Sequence, residues 1–383
     1  MNKIHAVKIS GFRKLKNIDL TVRPFMVLIG ANGVGKSSLL DAFSLLAASA
    51  AGGMNNKLSQ FGGITSVLTR GKAESVSFCL EMELPGGHPL AYELSLAPKG
   101  VGYAISREEL SQSQNGSVTA LKYIESHNGD IQYFEDGATN RLVRPNWEHN
   151  PLETSLFQVP KMFREPEELR RILGSVTQYH ALDVSARAPV KLPQQMKPAE
   201  LPGADGEDLI PFLYYLRESH RDRYEAIEDV LKSAFPNFES LSFPPVAAGT
   251  LSMTWKDSNF TKPFYIHELS EGTLRFLWLV SLLQSPALPT ITMIDEPEVS
   301  LHPELLSILA DLMREASKRT QLIVATHSDR FIRFLDPKEV VVMDSDDDGC
   351  TTAAWGDTLD LEGWLKDFSL DEVWRMGRMG GRS

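Results

Sequence analysis

Gly30, Gly35, Lys36 and Ser37 stand in the spacing G-x-x-x-x-G-K-S, after the apolar run "FMVLI" and before the helix-forming stretch "SSLLDAFSLLAASAA". Glycines let backbone N–H groups curl around anionic oxygens, and the positive end of the following helix points at them. In such a loop Lys36 neutralises β- and γ-phosphates and the Ser37 hydroxyl ligates Mg²⁺. A glycine-rich turn is the plainer reading, but a strand before and a helix after give this pattern the context of a phosphate site. A second cluster ends the apolar stretch "TITMID", where Asp295 and Glu296 are adjacent. Carboxylates at the end of a parallel strand lie where such sheets bind ligands. Asp295 would hold the metal, and Glu296 would orient or deprotonate a water. A solvated turn is the alternative for two neighbouring acids, and it fits poorly with an apolar strand that delivers them. "LIVATHSD" sets His327 at the tip of another strand, where a ring N–H would donate to an oxyanion. In "HELSEGTLRF", Ser270 can simply cap the helix that follows. With Glu271 and Gly272 it can also form a second anion-binding end, most useful if it faces the nucleotide of another copy.

The elements that must position these residues follow from periodicity. "IHAVKIS" and "IDLTV" read as two strands joined through "GFRKLKN", and "FMVLI" as a strand covered on both faces. The Gly52-Gly53 pair stops the helix after the phosphate loop. Residues 75–145 alternate as antiparallel strands, with turns at "PGGHP", "QNGS", "HNGD" and "EDGA". Residues 160–260 read as mainly helical, and the Pro-rich stretch "SARAPVKLPQQMKPAELPGADG" as an exposed loop. Strand–helix alternation returns near residue 265, with Pro303 at a favourable first helical position. The sheet is thus expected from both chain ends, with the middle as an insert. The expected divisions are an α/β core from residues 1–85 and 263–383, an antiparallel β extension over 86–160 and a mainly helical insert over 161–262.

Composition narrows the classes. The 383 residues are 42% hydrophobic and 23% charged, enough for a substantial core without staples. The two cysteines, Cys79 and Cys350, do not suggest a disulfide framework, so a cytoplasmic setting is expected. No apolar run approaches the ~20 residues that span a bilayer, and no signal-peptide core opens the chain. A net charge of −11 opposes whole-surface attraction to nucleic acid and favours a protein partner, leaving DNA or RNA open. Asp344, Asp346, Asp348 and Gly349 begin like an EF-hand loop, but its twelfth position is Trp355, so a hairpin tip is expected instead.

Together "ISGFRKLKNIDL", "VLIGANGVGKSSLLDAF", "LSEGTLRFLWL", "MIDEPEVSLHPELL" and "IVATHSDRFI" resemble the ABC-type ATPases, specifically their RecF/SMC/OLD-like, AAA-21 branch. The tail "VWRMGRMGG" is also similar to members of that group. "LSEGT" departs from the transporter-type "LSGGQ". The resemblance implies a P-loop NTPase of ABC/RecF-like type with a mixed sheet, an antiparallel β lobe and a helical insert. It implies ATP and Mg as cofactors, and a head-to-tail homodimer with two ATPs between the subunits. Each site would combine Gly30, Asn32, Gly33, Gly35, Lys36, Ser37, Ser38, Asp295, Glu296 and His327 of one chain with Ser270, Glu271 and Gly272 of the other. Arg13 and Lys14 would contact the nucleotide. Gln60 is the expected metal-linked glutamine, with Gln178 as the alternative. OLD relatives carry a C-terminal Toprim nuclease. The residues after 355 leave no room for one, so a nuclease effector would be another chain. The implied function is an ATP-hydrolysing switch that controls a partner protein or nucleic acid, in DNA repair or phage defence. A slowly hydrolysing scaffold for a toxin or effector is the second reading, and a transporter subunit the third.

Overall fold

The computed structural model describes residues 3–83, 88–113, 120–135, 141–145, 148–160, 164–361 and 363–380. The turns expected at "PGGHP" (in part), "QNGS" and "EDGA" (in part) lie outside these residues. Lys3–Phe12 (β1) and Leu15–Thr21 (β2) pair antiparallel, and Arg13 and Lys14 make the connection between them. Phe25–Ile29 (β3) offers no polar residue to water, and both of its faces are covered. Phe25, Val27 and Ile29 enter one core, and Met26 and Leu28 enter the other. Lys36–Ala51 (α1) follows, ended by Gly52 in the left-handed conformation, and then Met54–Gln60 (α2).

The antiparallel expectation holds through Val76–Glu83 (β4), Leu90–Lys99 (β5), Gly102–Gln112 (β6), Leu121–His127 (β7), Asp130–Glu135 (β8) and Arg141–Val143 (β9). With the first hairpin these strands form one sheet of order β2-β1-β4-β5-β6-β7-β8-β9. The division expected at residue 85/86 therefore falls between two strands hydrogen-bonded to each other.

The other large sheet has six strands. Thr177–Tyr179 (β10) lies at one edge, followed by Ile291–Asp295, Gln321–Ala325, β3, Val340–Ser345 and Thr351–Trp355. All its pairings are parallel except the last, which is the hairpin expected around the acidic turn. β10 corrects the expectation of a sheet built from the chain ends alone, since the middle contributes an edge strand. A three-residue strand is too short to show a period. α1 buries Leu39, Leu40, Phe43 and Leu46 between the two sheets, in the core that also holds Met26, Leu28, Phe78 and Leu94. On the other face Leu209–Ser219, Arg221–Ala234, Glu271–Gln284 and Leu305–Ala316 cover the six-stranded sheet.

The Pro-rich stretch is not simply exposed. Ala188, Val190 and Ala199 are buried, and the Trp278 indole donates to the Gly203 carbonyl at 2.9 Å. Buried Gln194 donates to the carbonyls of Pro189 and Gly206 and accepts from the Ile210 N–H, so one side chain satisfies the backbone of a covered loop.

Glu108 on β6 ties the lobe to α1. It is fully buried and accepts from the N–H groups of Ser155 and Leu156 at 2.6 and 2.8 Å and from the Tyr92 hydroxyl at 3.1 Å. Burial raises its carboxyl above the usual range, and these donors oppose the rise. Next to them, the Thr154 hydroxyl donates to the Ser49 carbonyl on α1 at 2.7 Å. A glutamine at 108 would turn an NH₂ group towards a backbone N–H. Glu108→Gln is therefore expected to destabilise the fold by about 2 kcal/mol, read as a lower thermal unfolding midpoint. Exposed Glu81→Gln should stay within about 0.5 kcal/mol. Equal midpoints for the two variants would remove Glu108 as a tie.

Candidate functional site

The strand ends build the site. β3 pairs with Gln321–Ala325, Ala325 opposite Leu28, and that strand pairs with Ile291–Asp295, Asp295 opposite Ala325. The glycine loop, His327 and the two carboxylates therefore leave the same edge of the sheet within a few residues of each other. Gly35 caps α1 at φ +114°, and a Cβ there would stand 2.5 Å from the Thr351 hydroxyl oxygen. That hydroxyl donates to the Val34 carbonyl at 2.6 Å, and the Thr351 N–H donates to the Lys14 carbonyl at 2.9 Å. One residue thus braces both the loop and the hairpin.

Lys36 is 4% exposed. Its ammonium donates to the carbonyls of Gly30 and Ala31 at 2.6 and 2.9 Å and lies 3.2 Å from His327 Nδ1. Burial lowers its pKa to about 8, against the opposing pull of Asp295, Glu296 and Glu298. His327 is pushed down, first by burial and then by Lys36, so the imidazole is neutral. With the ammonium donating to Nδ1, the ring proton sits on Nε2, which faces Glu296 Oε1 at 3.7 Å. Glu296 adopts φ +51°, its N–H held by the Ala325 carbonyl at 2.8 Å. A non-glycine residue held there costs about 1–3 kcal/mol and points to a constraint at the site. Burial, then Glu296, raises the Asp295 carboxyl above its ordinary range.

Lys36, Asp295, Glu296 and His327 converge as the sequence suggests. Asn32, Gly33 and Ser37 are exposed on the loop, and Ser38 is half-buried. Arg13 pairs with Asp41 on α1 and lies over the Phe61 ring at 4.8 Å. The Lys14 ammonium lies over Gly33, 3.8 Å from where its Cβ would be. Arg13, Lys14, Leu68, Arg70 and Lys72 line a cavity of about 340 Å³. Ser270 caps Glu271–Gln284, accepting from the Thr273 N–H at 3.2 Å and meeting the Thr273 hydroxyl at 2.8 Å, and it is exposed.

Gln60 is not brought to this cluster. It is exposed at the end of α2, and its side chain makes no hydrogen bond among the described residues. Gln178 on β10 accepts from the Ser44 hydroxyl of α1 at 2.6 Å. The residue beside Asp295 is His180, just past β10, with Nδ1 3.8 Å from Asp295 Oδ2. Sequence reading missed it because β10 itself was not legible. It also missed Glu298, whose Oε1 accepts from the Thr326 hydroxyl at 2.5 Å and the His327 N–H at 3.3 Å. Burial raises the Glu298 carboxyl. Its place in "DEPE", two residues past Glu296, was the available signal.

A phosphate loop, strand-end carboxylates and a strand-tip histidine on a mixed α/β sheet define a P-loop domain whose fold is similar to that of SMC heads. One match is the structure of an SMC head bound to the C-terminal winged-helix domain of ScpA, with a TM-score of 0.55 at 15% identity. It covers 92% of this chain and 97% of that one. The Pyrococcus furiosus Smc head with an extended coiled coil, bound to the C-terminal domain of ScpA, gives 0.54 at 14% identity over 98% of this chain and all of that one. At these identities the likeness is one of fold. The chain itself belongs to the AAA_21 family, an AAA domain described together with the AbiEii toxin and type IV toxin–antitoxin systems, whose model matches residues 25–333. A search of curated proteins returned no match.

Thr351→Val keeps the shape of the brace and removes its hydrogen bond to the loop. It is expected to weaken binding of a fluorescent ATP analogue with Mg²⁺ by about 5-fold, the equivalent of one ordinary hydrogen bond. Unchanged affinity would show that the loop holds its form without Thr351.

Proposed function

We propose that the chain is an ATP-hydrolysing switch whose two sites are completed when two copies meet head to tail. The observation that carries this reading is the convergence of Lys36, His327 and Glu296 beside Asp295 at one edge of the sheet. Ser37 and Asp295 supply hard oxygen donors of the kind Mg²⁺ prefers, and its remaining ligands would be phosphate oxygens and water. Among the described residues no group of three or more His, Cys, Asp or Glu side chains could hold a metal. The site therefore suits an ion that arrives with the nucleotide. When bound, that ion neutralises charge developing on the transferred phosphoryl group.

The chain's own residues do the rest. The glycine-loop N–H groups and Lys36 hold the triphosphate, and Gly30, Asn32, Gly33 and Ser38 leave the backbone free to wrap it. Leu68 and the cations lining the neighbouring cavity suit the nucleoside end. Glu296 accepts the proton of the attacking water, and His327 Nε2–H holds either that water or a phosphate oxygen. Ser270, Glu271 and Gly272 stand exposed or half-buried at a helix N-terminus, available to the phosphates of a second copy.

The core from residues 1–85 and 263–383, with β10 at its edge, would bind ATP, and the rest of the middle would carry the change to a protein effector. An SMC head holds a ScpA domain, and the family description includes a toxin–antitoxin system. Both favour a protein partner, as does the acidic net charge. Among the described residues no helix is long and apolar enough to cross a membrane. We assign the chain to the cytoplasm on its sparse cysteines.

Lys36→Ala should abolish ATP binding. Glu296→Gln should bind ATP and cut turnover by about 100-fold or more, the ordinary contribution of a general base. Light scattering should show Glu296→Gln as a dimer with ATP and Mg²⁺ and as a monomer without them. A protomer that stays alone under full turnover would sink the two-copy site.

A further inference from the structure

Gly272 has no room for a side chain, since a Cβ there would stand 2.6 Å from the Ser300 carbonyl oxygen. The first turn of Glu271–Gln284 therefore lies directly on the turn that follows Glu296. Three residues along the helix, Arg275 Nη1 donates to Ser300 Oγ at 2.9 Å and to the Val299 carbonyl at 3.4 Å. Ser300 adopts φ +62° and Glu296 φ +51°, so both ends of this turn are held in a conformation that side chains disfavour. Between them the Val299 N–H donates to the Glu296 carbonyl at 3.3 Å and the Leu301 N–H to the Glu298 carbonyl at 3.0 Å. Arg275 and Glu296 line the same narrow cleft. A left-handed backbone persists only where its surroundings impose it. Here a guanidinium on one side and the Ala325 carbonyl on the other do so.

We propose that Arg275 is a positioning residue which, by gripping Ser300 and Val299, sets the backbone of Glu296 and makes the Ser270 helix end and the Glu296 turn one rigid unit. This rests on the role of Glu296 in the proposed function. Neither bond involves nucleotide, so Arg275 acts through the turn and not on the substrate. Contact of the Ser270 end with the phosphates of a second copy is thereby passed to the chain's own Glu296. The helix end that would meet the neighbour's nucleotide and the turn that carries the base for the chain's own site are joined by one side chain.

The test compares full-length wild type with Arg275→Ala and Ser300→Ala. In hydrogen–deuterium exchange without nucleotide, peptides spanning residues 296–301 should exchange about 10-fold faster in Arg275→Ala, with α1 unchanged. Turnover should fall about 10- to 100-fold, with affinity for a fluorescent ATP analogue within about 2-fold. Millimolar guanidinium ion should restore part of the turnover of Arg275→Ala and none of Lys36→Ala. Ser300→Ala removes one of the two bonds and leaves the arginine in place, so its loss should be smaller and in the same direction. Unchanged exchange at 296–301, unchanged turnover, or a fall in affinity that matches the fall in turnover would each overturn the proposal. If wild type hydrolyses no ATP, the proposed function falls, and the exchange measurement still decides whether Arg275 holds the turn.

Discussion

The site depends on the register of three parallel strands. Leu28 opposite Ala325 and Ala325 opposite Asp295 set three chain ends level, so three loops leave the sheet together. Hydrogen bonding fixes this alignment, and so does burial. A one-residue slip would turn Val27 and Val324 out of one core and Met26 and Ile323 out of the other. The chemistry is therefore positioned by apolar packing on two faces.

Within that frame the charges are held under tension. A nearly buried ammonium rests on two carbonyl oxygens and a neutral imidazole, with three carboxylates close enough to pull on it. The imidazole links the cation to Glu296, and Glu298 holds the imidazole's own backbone. An incoming polyanion offers the nearly buried ammonium more than two carbonyls do, because a full charge outbids a dipole. The arrangement is organised before ligand arrives, so little reorganisation is left for the moment of reaction.

How much of this was legible follows residue by residue. The loop from Gly30 to Ser38, Asp295, Glu296 and His327 could be read because each ends an apolar strand, and their neighbours in sequence announce the element. Ser270 could be read as a cap because a capping serine declares itself before a helix. β10 could not, since three residues carry no period, and with it went His180. Gln60 was implied by the resemblance and by its place after the phosphate loop, and it stands exposed at the end of α2. Arg275 and Glu298 act through contacts across the fold, with Ser300 and with Thr326, and long-range pairs leave no mark in local spacing. The Pro-rich stretch misled because composition predicts exposure on average, whereas Gln194 satisfies the covered backbone from within.

The eight-stranded sheet runs unbroken from the first hairpin to β9. Its strands are joined side by side, and β4 and β5 are hydrogen-bonded to each other on either side of the place where a domain border was expected. The sheet is one hydrogen-bonded blade. The blade's inner margin carries Arg13 and Lys14, and Thr351 fastens that corner to the glycine loop. The sheet that ends at β9 thus begins against the glycine loop.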